Sequence, residues 1–406
     1  MYAIGRPLRI AVIGMRAIPC NYSGIERASE CLYSRLAERG HAITIYCRPD
    51  YLADRVASYR GLRLLRIPTV KRKSMETLCH AFLCMLHGIT CDHYDVIQLH
   101  ALASGTFSVL GRLAGIPTVT KIHGLDWQRA KWNGLGCMVL RHAERSLAKH
   151  STNVTVVSKA LQSYFAQEYG LNSVYIPNGV ERSDSTAVLD HSVLDQFNLS
   201  PERFIAYIGR LVPEKRIEDL ILAFGRVTTP YKLVIAGEAG YTDTYVNHLR
   251  SLAATDARIV FTGLQKGAAL QTLYRAAAVF VLPSDLEGLP NSLLECMEYA
   301  TPAIVSDIAP HRELLGSIPG YDLFVTPRDV EGLTERLVRL LRYRERYAAV
   351  AVQAQAFVRR FYSWEHSADL TEEVFYRAAQ VKDVSLGTDK QALSTEDSET
   401  RVRRPS

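Results

Sequence analysis

The feature that most constrains the fold of this chain is a repeated alternation of strand-like and helix-like segments. An apolar run at 8–14 is followed by a helical pattern at 25–36 and by a second apolar run at 42–47. Further apolar runs follow at 62–67, 95–99, 118–122 and 153–157. Strands that alternate with helices in this way form parallel sheets with helices on both faces, so the pattern predicts the α/β class.

The alternation breaks once, near the middle of the chain. After a Pro-Asn-Gly turn signal at 177–179, the next twenty residues are polar and weakly periodic, as in a connection between domains. Apolar runs then resume at 204–208, 232–236, 258–261, 278–282 and 303–306. We therefore predict a first domain at 1–180, a linker at 181–198 and a second domain at 199–359. The polar residues 383–406 contain no aromatic residue, which predicts a disordered tail.

Composition narrows the class of protein. The eight cysteines are scattered without a C-x-x-C pair, which favours reduced thiols in a cytosolic protein over a disulfide scaffold or a zinc site. The apolar stretch 78–91 is interrupted by two histidines and a glycine, and the N-terminus lacks a signal-peptide pattern. The sequence thus predicts a cytoplasmic protein that is not integral to a membrane.

Positive charge is concentrated in the first half of the chain. Residues 1–180 carry a net charge of +11, and residues 181–382 carry −4. A basic half indicates an anionic partner, such as a nucleic acid, a membrane face or a phosphorylated substrate, with dispersed solubilising charge as the alternative. The basic residues form no stripe interleaved with aromatic residues, so the sequence does not favour nucleic-acid binding.

The loop after the first strand contains the segment Asn21-Tyr-Ser-Gly-Ile-Glu26. Gly24 would let the backbone approach a ligand closely, and the amides at a helix N-terminus attract phosphate. Ser23 and Glu26 also have the spacing of a helix capping box, which needs no ligand, so both interpretations stay open. The dinucleotide fingerprint G-x-G-x-x-G is absent from this loop, which argues against a dehydrogenase.

A second motif, Gly209-Arg-Leu-Val-Pro-Glu-Lys215, directly follows the first strand of the second half. Arg210 and Lys215 would both project at the carboxyl edge of a parallel sheet, where such sheets bind ligands. Two converging cations suit a diphosphate, because Arg bonds oxygens in a planar fork and Lys acts as a point charge. The alternative is a pair of surface cations that bridge Glu214 and Glu218.

The most specific motif is Ser284-Asp-Leu-Glu-Gly-Leu-Pro-Asn-Ser-Leu-Leu-Glu295. Pro290 suits the first turn of a helix, which places Glu287 in the loop before the helix and Glu295 on its second turn. Carboxylates bond sugar hydroxyls well, and the free amides at the helix start suit phosphate. The alternative is two solvated glutamates, although the neighbouring residues are apolar.

A fourth motif, Lys121-Ile-His-Gly-Leu-Asp-Trp-Gln-Arg-Ala-Lys-Trp132, ends a strand of the first half and would face the same cleft. His123 is followed by Asp126, Trp127 and Trp132, a mixture of polar and aromatic residues that is typical of carbohydrate contacts. A lone histidine is more often structural, and the two tryptophans could equally be core residues, so these alternatives stay open.

Together the four motifs resemble those of the family-4 retaining glycosyltransferases. That family has the GT-B fold, in which two Rossmann-like domains enclose a donor and acceptor cleft. Glu287 to Glu295 is similar to the E-x7-E signature of the family, 209–215 to its G-R-L-x-x-E-K element, and His123 to its active-site histidine. The resemblance spans about residues 8–378 and is greatest to a bacterial, rhamnosyltransferase-like subgroup that assembles surface polysaccharides.

The resemblance implies a role for individual residues. Arg210 and Lys215 would neutralise the donor diphosphate as it leaves, and Glu295 would bond the ribose hydroxyls. The implied catalytic residues are His123, Glu287, Arg210 and Lys215. The implied donor-binding residues are Gly24, Gly209, Arg210, Lys215, Glu287, Gly288, Leu289, Asn291, Ser292 and Glu295. The implied acceptor-binding residues are Asp126, Trp127 and His100.

The resemblance also implies partners. The donor would be a nucleotide-diphosphate sugar, used as a co-substrate without a further cofactor, and the absent D-x-D motif fits a site without a metal. The first domain would bind a glycan or a polyprenyl-diphosphate-linked acceptor at the inner membrane face. Lys71-Arg-Lys73 and the stretch 78–91 would then contact anionic lipid, unless that stretch is a core helix beside a solvated basic loop.

Two further details bear on the resemblance. After Ser363-Trp-Glu365, a last helix at about 360–380 would cross back onto the first domain. Ser23 stands where family members often have a second glycine, so the loop beside Gly24 departs from the family pattern. The remaining alternatives are a GT-B-fold sugar-nucleotide epimerase, a phosphorylase with lysine-bound pyridoxal phosphate, and a non-catalytic sugar-nucleotide binding protein.

Overall fold

The computed structural model of the protein describes residues 6–19, 24–52, 56–70, 75–130, 132–183, 188–239 and 243–380. Three predicted features lie outside these residues: the disordered tail at 383–406, the basic run Lys71-Arg-Lys73 and the capping residue Ser23. None of the helices in the described part of the chain combines the length and the apolar character that crossing a lipid bilayer requires.

The first half of the chain forms one sheet. Its strands are β1 (Arg9–Ile13), β2 (Ala42–Cys47), β3 (Ser58–Tyr59), β4 (Leu62–Arg66), β5 (Val96–His100), β6 (Thr118–Ile122), β7 (Asn153–Val156) and β8 (Val174–Tyr175). They lie in the order β3-β4-β2-β1-β5-β6-β7-β8, and only β3 runs antiparallel to its neighbour. The helices between them are α1 (Gly24–Glu38), α2 (Glu76–Thr90), α3 (Ala101–Gly105), α4 (Ser108–Leu113), α5 (Gly134–His150) and α6 (Lys159–Tyr169).

The second half forms a separate, wholly parallel sheet. Its strands are β9 (Phe204–Ile208), β10 (Lys232–Ala236), β11 (Ile259–Gly263), β12 (Val279–Leu282), β13 (Ala303–Ser306) and β14 (Phe324–Val325), in the order β11-β10-β9-β12-β13-β14. The helices of this half are α7 (His191–Gln196), α8 (Ile217–Gly225), α9 (Asp243–Ala253), α10 (Gly267–Ala276), α11 (Asn291–Glu298), α12 (Ala309–Leu315), α13 (Val330–Arg342), α14 (Arg344–Phe361) and α15 (364–380). Two parallel sheets with alternating helices confirm the predicted α/β class.

The sheet of the first half is covered on both faces, as a parallel sheet requires. Along β1, Ile10 and Val12 pack in a buried cluster with Leu32 of α1, whereas Ala11 and Ile13 pack with residues of α2 on the opposite face. Local signals fix the ends of several helices. The Ser158 hydroxyl, for example, accepts from the amide of Leu161 to cap α6, and Gly170 ends that helix in the left-handed conformation.

The last helix, α15, returns from the second half to the first sheet. Trp364 and Phe375 are buried in the same cluster as the β1 and α1 side chains. Val180 pairs with Ser363 where the two connections cross, and a Cβ at Gly179 would lie 2.3 Å from the amide nitrogen of Trp364. Only glycine leaves room for so close a crossing. The crossing lies where the alternation of strands and helices breaks in the sequence, after the turn signal at 177–179.

The carboxyl ends of both sheets face each other. The loops after β1, β5 and β6 meet those after β9, β10 and β12 across a cleft, which is where parallel sheets bind ligands. The sequence could not resolve β3, β8 and β14, because strands of two residues carry no readable periodicity.

Candidate active site

A large cleft lies between the two sheets in the described part of the protein. It has a volume of about 2410 Å³, and both halves of the chain supply its walls. A pocket for one small ligand usually measures about 300–1,000 Å³. The cleft therefore has room for two ligands side by side.

Lys215 and Glu287 form an ion pair on the second-domain wall of the cleft. Their loops follow β9 and β12, which are neighbours in the sheet, so the two side chains meet. The Lys215 ammonium donates to Oε1 of Glu287, and the Ser284 hydroxyl donates to the same oxygen over 2.8 Å. Only 11% of the Lys215 side chain and 8% of the Glu287 side chain are exposed, so the pair is held in place at the cleft floor.

Glu287 is held in its charged form. Burial alone would raise its pKa, but the Lys215 charge and the hydrogen bonds from Lys215 and Ser284 outweigh burial and place the pKa below its usual value, with the His311 ring nearby. His311 itself lies buried on α12, and burial lowers its pKa to about 4, so its ring is neutral. Glu287 is therefore a carboxylate at neutral pH.

Glu295 is met by a cation from the other domain. Nη1 of Arg27, on α1, lies 3.1 Å from Oε1 of Glu295, on α11. Burial raises the pKa of Glu295, although Arg27 and Tyr274 oppose the shift. Because Glu287 and Glu295 are both largely buried and paired, the alternative of two solvated glutamates is wrong.

The start of α11 forms the contact between the domains. Nδ2 of Asn291 donates to the carbonyl oxygen of Gly24 over 3.1 Å, and Nδ2 of Asn178 donates to Oδ1 of Asn291 over 2.9 Å. The first amides of a helix have no intrahelical acceptor, so the amides at Asn291 and Ser292 can serve an anion in the cleft.

Gly288 lies directly against the first domain. A Cβ at Gly288 would be 1.8 Å from the carbonyl oxygen of His123 and 3.4 Å from Cα of Gly124. Leu289, which follows, also lines the cleft. This contact brings the loop that carries Glu287 against the strand end that carries His123.

The remaining predicted donor residues lie at the end of β9. Gly209 and Arg210 both line the cleft, and the Tyr207 hydroxyl donates to the carbonyl oxygen of Arg210 over 2.9 Å. The structure thus brings all of the predicted donor-binding residues to one cleft, together with His123 on the opposite wall.

His123 is half-buried, and its ring forms a hydrogen bond with the ring of His100. Its Nε2 lies 2.9 Å from Nδ1 of His100, and the two rings are nearly parallel, at 14° with centroids 5.1 Å apart. Burial, followed by the neighbouring His100 ring and the charges on Lys121 and Arg129, lowers the pKa of His123 well below its usual value. The ring is therefore neutral.

Of the three predicted acceptor residues, the described lining of the cleft includes Asp126 and includes neither Trp127 nor His100. Asp126 lines the cleft and pairs with Arg129 over 3.2 Å. The position predicted for Trp127 is wrong, because its Nε1 donates to buried Glu144 over 2.9 Å and Arg141 covers its ring. The described cleft lining includes Trp132 instead.

His100 does not line the described part of the cleft. Its side chain is 1% exposed and lies behind His123, so a direct contact with an acceptor is corrected to a contact with His123.

Sequence reasoning missed several residues of this site. Arg27, which contacts Glu295, and Tyr33, whose hydroxyl lies 2.6 Å from Nε2 of His100, are on α1, where a charged or aromatic residue fits any amphipathic helix, so the pattern gave no signal. Ser284 stands three residues before Glu287 in the same loop, where a serine carries no distinct signal, and His311 approaches Glu287 only through the folded order of β12 and β13. A metal would need clustered ligands, and the described residues form no group of three or more His, Cys, Asp and Glu side chains suited to one.

Two protein families match the chain. The family described as "Glycosyl transferase 4-like domain" matches residues 23–179, and the family described as "Glycosyl transferases group 1" matches residues 194–357. Both matches contain residues of the cleft wall.

Individual proteins are similar over most of the chain. An uncharacterized glycosyltransferase from Methanocaldococcus jannaschii is 25% identical over 92% of this chain and 99% of its own length. The Escherichia coli UDP-Gal:alpha-D-GlcNAc-diphosphoundecaprenol alpha-1,3-galactosyltransferase is 24% identical over 70% of this chain and 76% of its own length. Among solved structures, sucrose-phosphate synthase from Thermosynechococcus elongatus superposes with a TM-score of 0.77 at 20% identity, covering 91% of this chain and 98% of that one.

Proposed function

We propose that the chain, a glycosyltransferase of the GT-B fold with a nucleotide-sugar donor, is a retaining, metal-independent enzyme of cell-surface polysaccharide synthesis. The predicted GT-B fold is thereby confirmed. The observation that carries the proposal is that Arg210 and the Lys215–Glu287 ion pair line one wall of the cleft, opposite His123 on the other.

The donor diphosphate is assigned to Arg210, Lys215 and the first amides of α11. Negative charge develops on the diphosphate as the sugar leaves, and fixed positive groups in a partly dry site stabilise it strongly. Lys215 is already oriented by Glu287 and needs little rearrangement to reach a phosphate beside that carboxylate. Because the protein supplies these cations itself, we propose a reaction without a metal.

Retention is proposed to proceed on one face of the sugar. Oε1 of Glu287 already accepts hydrogen bonds from Lys215 and Ser284, which makes it a poor nucleophile. Glu287 is therefore assigned to bonding the transferred sugar, and the leaving phosphate accepts the proton of the incoming hydroxyl. Glu295 is assigned to the ribose hydroxyls, which would replace Arg27 as its partner.

The acceptor is proposed to be a polyprenyl-diphosphate-linked saccharide. The E. coli relative is named for such an acceptor. The first-domain wall of the cleft includes the cation Arg16 together with the apolar side chains of Leu135 and Val139. That combination suits a molecule with both a diphosphate and an apolar chain, and it fits the +11 charge of residues 1–180.

A binding and product assay tests the proposed function. Nucleoside diphosphates and their sugars are screened for an increase in the melting temperature, because a selective ligand of the folded state stabilises it. We expect one nucleotide series to bind and its sugar to appear on a polyprenyl-diphosphate saccharide with the anomeric configuration kept. Epimerised donor without acceptor would instead establish an epimerase, and binding without any product would establish a binding protein.

Membrane contact is proposed through α2. Phe82, Leu83 and Leu86 are 41%, 39% and 40% exposed, whereas His80 and Cys84 on the same helix are buried. The helix thus presents apolar side chains to solvent, as an interfacial helix does. The predicted basic run at 71–73 precedes this helix but lies outside the described residues.

We expect the protein to bind vesicles that contain anionic lipid and to bind them less as salt is raised. Replacing Leu83 and Leu86 with serine should weaken this binding by about tenfold or more, because each leucine loses its apolar burial. Val352→Ser, at an exposed position of α14 in the second domain, is the matched control. Equal vesicle binding by the variant with both leucines replaced and by Val352→Ser, in a sedimentation assay, would rule out α2 as the docking helix.

A further inference from the structure

Behind His123 lies a chain of buried hydrogen bonds that the proposed donor and acceptor roles leave unused. The Tyr33 hydroxyl, on α1, is 2.6 Å from Nε2 of His100, and Nδ1 of His100 is 2.9 Å from Nε2 of His123. Tyr33 is 0% exposed and His100 is 1% exposed. The chain leads from the protein interior to a ring that lines the cleft.

The side chains of Tyr33, His100 and His123 are all uncharged at neutral pH. Burial raises the pKa of Tyr33 well above its usual value, so the hydroxyl keeps its proton. Burial and the Lys121 charge lower the pKa of His100 to about 3. Burial likewise lowers the pKa of His123. Each imidazole therefore has one N–H and one lone pair, and the question is which nitrogen carries the proton.

The Tyr33 hydroxyl determines which atom donates in each of these hydrogen bonds. Within the described residues its hydrogen-bond partner is His100, and a buried O–H without an acceptor would bear the full cost of desolvation. Tyr33 must therefore donate to Nε2 of His100. His100 then carries its proton on Nδ1 and donates to Nε2 of His123, which leaves the proton of His123 on Nδ1.

We propose that Tyr33 and His100 are positioning residues that fix the tautomer of His123, so that this ring offers an N–H donor, and not a lone pair, to the ligand in the cleft. The inference rests on the proposed function for the identity of that ligand, an oxygen of the transferred sugar. In this arrangement His123 orients the sugar by donating a hydrogen bond to one of its oxygens. It takes no proton from the acceptor, which agrees with the leaving phosphate as the base.

The tautomer can be measured on the full-length protein without substrate. In two-bond proton–nitrogen spectra of ¹⁵N-histidine-labelled protein, with His123 assigned from a His123→Gln sample, we expect a protonated Nδ1 and an unprotonated Nε2. In Tyr33→Phe the donor at the head of the chain is lost, and His123 should become a mixture of both tautomers. A protonated Nε2 in the unaltered protein, or an unchanged spectrum in Tyr33→Phe, would overturn the proposal.

Tyr46→Phe is the matched control, because Tyr46 is equally buried and its hydroxyl lies 3.0 Å from Nδ1 of His87, away from the cleft. It should leave the His123 signals and the transfer rate unchanged. Tyr33→Phe should lower kcat by about three- to tenfold, the range for one neutral hydrogen bond, with little change in the donor KM. An equal loss in both variants would show that Tyr33 is merely structural. The spectra stand even if no transfer is found, so a failure of the proposed function is recognised separately.

Discussion

Replacing Lys215 with alanine is expected to reduce the transfer rate by about tenfold to two-hundredfold, the loss of one hydrogen bond to a charged group. Lys215 is the cation at the cleft floor whose position is fixed by Glu287. Without it, the leaving diphosphate is stabilised by Arg210 and the α11 amides alone. The measurement is the initial rate at saturating donor and acceptor, together with the melting temperature with and without nucleotide.

Removing Lys215 also affects stability, and this must be separated from catalysis. Glu287 would keep its burial but lose its cation, so its pKa should rise and the free energy of unfolding should fall. The double variant Lys215→Ala/Glu287→Gln removes the unpaired charge and should recover most of the melting temperature without recovering turnover. Lys149→Ala, at an exposed position on α5, is the control for losing a lysine. A full transfer rate in Lys215→Ala would show that Lys215 does not contact the diphosphate.

The sequence predicts the fold well because each strand of five residues or so is a continuous apolar run between helices. It predicts Arg210, Lys215, Glu287 and Glu295 because each lies at a strand end or a helix start, and the carboxyl ends of parallel strands meet at one edge. The positions of these residues along the chain were therefore enough to predict that they lie at the same cleft.

The rest of the site depends on contacts between distant segments. Trp127 is equally compatible with a sugar contact or a core position until Glu144 is found to accept its indole N–H. Arg27 reaches Glu295 because the two domains lie face to face, with α15 of the second half packed on the first sheet. His100 lies behind His123 because β5 and β6 are neighbours in register, a pairing that no spacing in the sequence specifies.

Gly288→Ala is expected to reduce turnover by about a hundredfold, because a displacement of about 1 Å at a reacting centre has an effect of that size. The new Cβ would lie 1.8 Å from the carbonyl oxygen of His123, well inside any allowed contact, so the two domains must move apart. That movement separates Glu287 from His123 across the sugar. The measurement is kcat at saturating donor and acceptor.

The same change should leave nucleotide binding largely intact, because Lys215 and Arg210 are both carried by the second domain. We therefore expect the nucleotide to raise the melting temperature of Gly288→Ala nearly as much as that of the unaltered protein. Gly225→Ala, at the end of α8, is the matched control, since a Cβ there meets nothing within 4 Å. If Gly288→Ala turned over normally, the domains could not approach this closely during the reaction, and His123 would act on the sugar from a greater distance or not at all.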